Sequence, residues 1–121
     1  MSMNSDADEK LKEIVELSRL YDIYGELLSD HNRVVFEDYV LNNYSLGEIA
    51  GEVDISRQGV RDIVVRCSKK LREYEAKLGF LARIDEAETV LDELSEMLEN
   101  DHMDADKALH LIRKVHDTLE Q

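Results

Sequence analysis

Apolar residues recur along most of the chain with a period near 3.6, which predicts helices rather than strands. Leu11, Ile14, Val15, Leu20, Tyr21, Tyr24, Leu27 and Leu28 form a first stripe, so a helix is expected over 8–28, followed by cap chemistry at Ser29 and Asp30. A second helix over 32–41 offers Val35, Phe36, Tyr39 and Val40 to a core. Asn42 and Asn43 mark its exit, because Asn tolerates left-handed backbone.

The stretch SLGEIAGEVDISRQGVRDIV, residues 45–64, carries the most specific pattern. Ser45 and Glu48 have the spacing of a capping box and open a short third helix over 46–53. Asp54, Ile55 and Ser56 form a turn, and Ser56 caps a long fourth helix over 57–78. The packing requirements of a helix-turn-helix are met in register. Ala50 is the small residue where the second helix crosses the first, with Ile49 and Val53 beside it. Ile55 is the inward residue of the turn, and Val60 and Ile63 anchor the second helix. Asp54 stands where Gly is common, and Asp accepts the left-handed geometry better than most residues. Gly79 permits an end or a kink after the long helix.

Two stripes follow. Ile84, Ala87, Leu91, Leu94 and Leu98 alternate spacings of three and four, and so do Ala105, Ala108, Ile112, Val115 and Leu119. Each has the seam of a coiled coil. The turn between them is 100–103, with Asp101 or Asp104 as the cap. The pair is expected either to fold on itself as a hairpin or to join a second copy of the chain. The fold expected is all-α: a helix-turn-helix domain with an N-terminal helix over 1–80, and an acidic helical hairpin or dimerisation segment over 81–121.

Composition sharpens this picture. The 121 residues contain no proline, which removes the commonest helix breaker. The lone Cys67 has no internal disulfide partner, so a reducing compartment is expected. The N-terminus MSMNSDADEK is too polar for a signal peptide, and no apolar run approaches the ~18 residues of a membrane span. The expected location is the cytoplasm, without membrane insertion.

Charge divides the chain unevenly. The net is −13, with −5 in residues 1–30, zero in 31–80 and −8 in 81–121. Between Ser56 and Arg72 six bases meet one acid, Asp62. At 100° per residue, Val60, Ile63, Val64, Cys67, Leu71, Tyr74 and Leu78 share a core face, and Gln58, Arg61, Val65, Lys69 and Arg72 lie opposite. Ser56 and Arg57 sit at the helix start, where a reading helix meets base edges. Arg pairs with guanine, Gln with adenine, and the methyls of Val65 suit thymine. Arg66, Lys69, Lys70 and Arg72 are placed to position phosphates. The candidate DNA-binding set is therefore Ser56, Arg57, Gln58, Arg61, Val65, Arg66, Lys69, Lys70 and Arg72. The flanking acidity opposes phosphate at long range.

Residues 20–80, with YSLGEIA, the SRQ of the turn and LREYEAKL, resemble the YlxM-like bacterial helix-turn-helix proteins, whose motif is itself similar to region 4 of sigma factors. The resemblance implies small acidic helical proteins that form dimers. It also implies a role in the signal recognition particle pathway, since the family is usually encoded beside signal recognition particle genes. Two departures stand out: His31-Asn32 replaces the usual Lys-Gln, and Gly59 replaces a common Ala.

Nothing points to catalysis. There is no Gly-rich phosphate loop and no nucleophile elbow. Asp106 and His110 are i, i+4 but read as a solvated helix face, so no metal and no cofactor are expected. Two readings remain. In one, the chain is a nucleic-acid-binding regulator, a homodimer on DNA linked to the signal recognition particle pathway. In the alternative, it is an interaction module that does not bind DNA. It then contacts signal recognition particle protein or RNA through the basic helix or the acidic tail.

Overall fold

The computed structural model describes residues 3–121; Met1 and Ser2 of the polar N-terminal stretch lie outside the described residues. The protein is all-α, with no strand among the described residues. The helices are α1 (Met3–Tyr24), α2 (Asp30–Val40), α3 (Leu46–Val53), α4 (Arg57–Leu78), α5 (Phe80–Glu99) and α6 (Ala105–Leu119), and a single 3-10 turn, Gly25–Leu27, follows α1. They form two compact units, one ending at Leu78 and the other starting at Gly79.

In the first unit, α1, α2 and α3 all pack on α4. Leu20, Tyr24, Val35, Phe36, Ile49, Val60 and Leu71 are almost wholly removed from water. Burial on that scale is the main stabilising term for so small a unit. Tyr24 also donates a hydrogen bond to Glu75 Oε1 at 2.6 Å and stacks at a tilt on Tyr74, 5.9 Å between ring centres. Tyr21 packs on Phe36 at 5.6 Å, donates to Glu37, and accepts from Arg33 Nε at 3.4 Å. The tyrosine hydroxyls thus tie α1 to α2 and to α4.

The first helix differs from its expectation over 8–28. It starts at Met3 and tightens into the 3-10 turn at Gly25. At that turn the Tyr21 ring lies so close to Gly25 that a Cβ there would sit 2.7 Å from Tyr21 Cε2. Leu11, Val15 and Leu27 were expected in the apolar stripe and are exposed, at 61%, 51% and 56%. The face that α2 and α4 cover is the one through Leu17, Leu20, Tyr21 and Tyr24; Leu11 and Val15 point away from it. The second helix begins at Asp30 rather than 32, because the Ser29 hydroxyl accepts from the Asn32 amide.

The helix-turn-helix is built as its local chemistry dictates. Ser45 Oγ accepts from the Glu48 amide at 3.1 Å, and Glu48 Oε1 accepts from the Ser45 amide at 3.2 Å. Asp54 ends α3 in left-handed backbone, φ 55° and ψ 47°, and the Ile55 amide donates to the Ala50 carbonyl. Ser56 Oγ then accepts from the Gly59 amide at 2.9 Å and caps α4. On α4 the expected core residues Val60, Ile63, Val64, Cys67 and Leu71 are buried; Tyr74 is half-buried and Leu78 is exposed. Ser68 is buried as well, its hydroxyl donating to the Val64 carbonyl at 2.8 Å.

In the second unit α5 and α6 pack on each other as a hairpin. Asp104, not Asp101, caps α6, accepting from the amides of Asp106 and Lys107. Its seam is not the expected one. Val90, Met97 and Leu111 form the buried cluster, with Leu94, Ala108 and Val115 packed against it. Ile84, Leu91 and Leu98 of α5, and Ile112 and Leu119 of α6, remain between 38% and 62% exposed. Each helix is turned by about one position, so half of each expected stripe faces its neighbour and the other half does not.

Candidate nucleic-acid interface

The nine candidate residues all lie in the turn or on α4, and their contacts, local for some and between helices for one, sort them. Ser56 spends its hydroxyl on the helix cap. Gln58 donates its side-chain amide to Asp62 Oδ1 at 2.9 Å, and Arg66 Nε donates to the Asp62 carbonyl at 3.4 Å. Asp62, the one acid of this stretch, therefore holds two of the candidates.

Arg72 is engaged from further away. Its guanidinium meets Glu13 of α1 at 3.6 Å and Glu16 at 3.4 Å. These three side chains are about half exposed, so the pairs add little stability. Their effect is on the surface potential, because two carboxylates stand where phosphate was expected.

Arg57, Arg61, Lys69 and Lys70 are exposed and make no hydrogen bond or ion pair among the described residues. Val65 projects between them, 58% exposed. The Arg57 side chain runs along α3 at Gly47, where a Cβ would stand 3.5 Å from its Nε. Gly59, in the first turn of α4, leaves room for the cap: a Cβ there would stand 3.2 Å from Ser56 Oγ. The exposed cations thus extend from the start of α4 to its middle, and neutralisation sets in at Arg72.

Arg61, Val65, Lys69 and Arg72 also line a groove of about 820 Å³ between α4 and α1. Lys10, Glu13, Ile14 and Leu17 supply the α1 side. Ile14 belonged to the expected apolar stripe, but nothing local in the sequence placed it, Lys10, Glu13 or Leu17 beside α4.

Cys67 is buried beneath this surface, and burial pushes its thiol above the ordinary value, with Lys70 and Arg66 opposing more weakly. A buried thiol held protonated is a packing residue rather than a nucleophile. No cluster of His, Cys, Asp and Glu able to hold a metal occurs among the described residues. No helix among them is long and apolar enough to cross a membrane.

Comparison with known proteins gives a consistent result. Residues 11–119 match the family model UPF0122, described as "Putative helix-turn-helix protein, YlxM / p13 like". The chain is 47% identical over 83 residues to a UPF0122 protein of Thermoanaerobacter sp. (strain X514), covering 69% of this chain and 71% of that one. It is 38% identical over 105 residues to a UPF0122 protein of Listeria innocua, covering 87% and 89%. A UPF0122 protein of Halalkalibacterium halodurans is 38% identical over 89 residues, covering 74% and 82%. The match extends well beyond residues 20–80, into the hairpin.

Proposed function

The chain belongs to the UPF0122 family of YlxM / p13-like helix-turn-helix proteins, and from that premise we propose that it is a nucleic-acid-binding regulator rather than an enzyme. The observation that carries this reading is the uncommitted basic surface at the start and middle of α4. Arg57 and Arg61 stand on the helix that follows a helix-turn-helix turn, exposed and without a hydrogen-bond or ion-pair partner among the described residues. They are the base-reading pair, with Gln58 recruited once Asp62 releases it. Lys69 and Lys70 hold phosphates, Ser56 and Val65 complete the contact surface, and Arg66 joins by leaving the Asp62 carbonyl. Arg72 contributes only when its α1 partners let it go.

The presenting unit is a homodimer. Ile84, Leu91 and Leu98 repeat every seven residues, as do Ala105, Ile112 and Leu119. Their exposure leaves the hairpin an apolar face beside its own seam. Helical geometry places both rows on one side of the antiparallel pair. Two copies closing over that face would carry two reading helices, as two-fold half-sites require. The domain assignment follows: residues 1–80 read, and 81–121 dimerise. The setting is the cytoplasm, and the regulated process is the signal recognition particle pathway.

A second reading is favoured by the acidic cover on Arg72. Here the same surface binds signal recognition particle protein or RNA and never enters a DNA groove. Crosslinking in cells, with bound DNA and RNA sequenced together, decides between them. Discrete DNA peaks lost in an Arg57→Ala/Arg61→Ala double variant support the regulator. Enrichment of signal recognition particle RNA alone, or no nucleic acid, sinks it.

A further inference from the structure

The groove between α1 and α4 has features that a duplex does not use. Its lining includes Ile14, Leu17, Val64 and Val65, with Tyr39 of α2 and Leu46 of α3 completing the wall. Such a concave apolar surface is filled by projecting apolar side chains. A duplex presents base edges and phosphates, and its one apolar projection is the thymine methyl.

The charges around the groove are unequal once internal pairs are set aside. Glu13 and Glu16 both face Arg72, at 3.6 Å and 3.4 Å, so that cluster leaves one acid in excess. Lys10, Arg61 and Lys69 line the groove and have no ion-pair partner among the described residues, against Glu73 as the remaining acid. The uncommitted balance is positive in a protein whose net charge is −13.

An occupant that meets both conditions carries apolar residues on one face and carboxylates beside them. We propose that this groove is a docking site for an acidic amphipathic helix of a partner protein, anchored through apolar side chains at i, i+3 or i+4, and i+7. Its acids pair with Lys10, Arg61 and Lys69. Because Arg61, Val65 and Lys69 also belong to the proposed nucleic-acid surface, a docked helix excludes nucleic acid from α4. That exclusion rests on the regulator reading; the docking does not.

The test uses the full chain, isotopically labelled, and three synthetic helical peptides. The first has leucines at i, i+3 and i+7 flanked by glutamates. The second has lysines in place of the glutamates, and the third has alanines in place of the leucines. The first is expected to shift the amides of Ile14, Leu17, Val65 and Lys69 and to bind at least about tenfold tighter than either control. Val65→Asp should weaken it by a similar factor, and since Val65 is 58% exposed the variant should keep its helical circular dichroism. Lys69→Glu provides a second variant at an exposed position. Shifts confined to other surfaces, or equal binding of the lysine peptide, overturn the proposal. A DNA duplex run in parallel separates the two ideas. Peptide in the groove with no duplex bound upholds the docking and retires the regulator; duplex bound with no peptide in the groove does the reverse.

Discussion

Arg72 of α4 and Glu16 of α1 are 56 positions apart in the chain and meet at 3.4 Å. This contact, with Glu13 beside it, sets where the basic surface of α4 ends. Replacing both acids by Gln frees Arg72 and removes two charges that repel phosphate. Under the regulator reading, affinity for a duplex should rise between about twofold and tenfold, and the salt dependence should steepen by about one counterion. Stability should change by no more than about 1 kcal/mol, because the pairs are half exposed. Fluorescence anisotropy across a salt series reads the first two quantities, and urea unfolding reads the third.

Tyr24→Phe keeps the buried ring and deletes the hydroxyl that donates to Glu75 at 2.6 Å. Loss of this part-buried hydrogen bond should cost about 1–3 kcal/mol. Chemical denaturation should show the midpoint falling with an unchanged slope. A change below about 0.5 kcal/mol would mean this tie between α1 and α4 is not formed in solution.

Asp54 supplies a left-handed residue without being Gly, with φ at 55°. Asp54→Gly should leave stability unchanged or raise it by up to about 1 kcal/mol, and Asp54→Ala should lower it by about 1 kcal/mol. Thermal melts should therefore place Asp54→Ala below the parent and Asp54→Gly level with it or above it.

Gly25→Ala places a methyl 2.7 Å from the Tyr21 ring. The ring cannot retreat without breaking its stack on Phe36 and its hydrogen bond to Glu37. The expected loss is about 1–3 kcal/mol. A Tyr21→Ala background should reduce the added cost of Gly25→Ala toward the ordinary value for a helix end, which a double-mutant cycle measures.

Alkaline pH should destabilise the first unit. Burial raises the Cys67 thiol above 9.0, and burial with the Glu37 contact raises the Tyr21 hydroxyl above 10.0. Both groups hold their protons more tightly folded than unfolded. Their contribution is therefore complete below about pH 9, and it falls as pH climbs through the unfolded values toward the folded ones. Urea midpoints should be level from pH 7 to 8.5 and decline beyond, and Cys67→Ala should make the early part of that decline shallower.

The helix-turn-helix was legible in the sequence because its determinants are local. The capping box of Ser45 and Glu48 closes within three residues, Ser56 caps its own helix, and Asp54 accepts the turn through its own backbone preference. The apolar period of α4 then selects Val60, Ile63, Val64, Cys67 and Leu71, since a helix with one buried side has only that face to offer. The basic composition of the opposite face was equally visible.

What the tertiary structure decided are quantities that depend on which helix lies beside which. The heptads of α5 and α6 present more apolar positions than one neighbour can cover. Only packing chose Val90, Met97 and Leu111 for the seam and left Leu91, Leu98 and Ile112 outside. On α1 the same rule buried Leu17, Leu20 and Tyr24 and exposed Leu11 and Val15. Among six cations that look alike in the sequence, three-dimensional proximity paired Arg72 with α1, while Arg66 bonds within its own helix and Arg57, Arg61, Lys69 and Lys70 make no ion pair among the described residues. Periodicity states that a side chain faces inward or outward; an ion pair needs its two charges within about 4 Å, and such distances between helices exist only once the chain has folded.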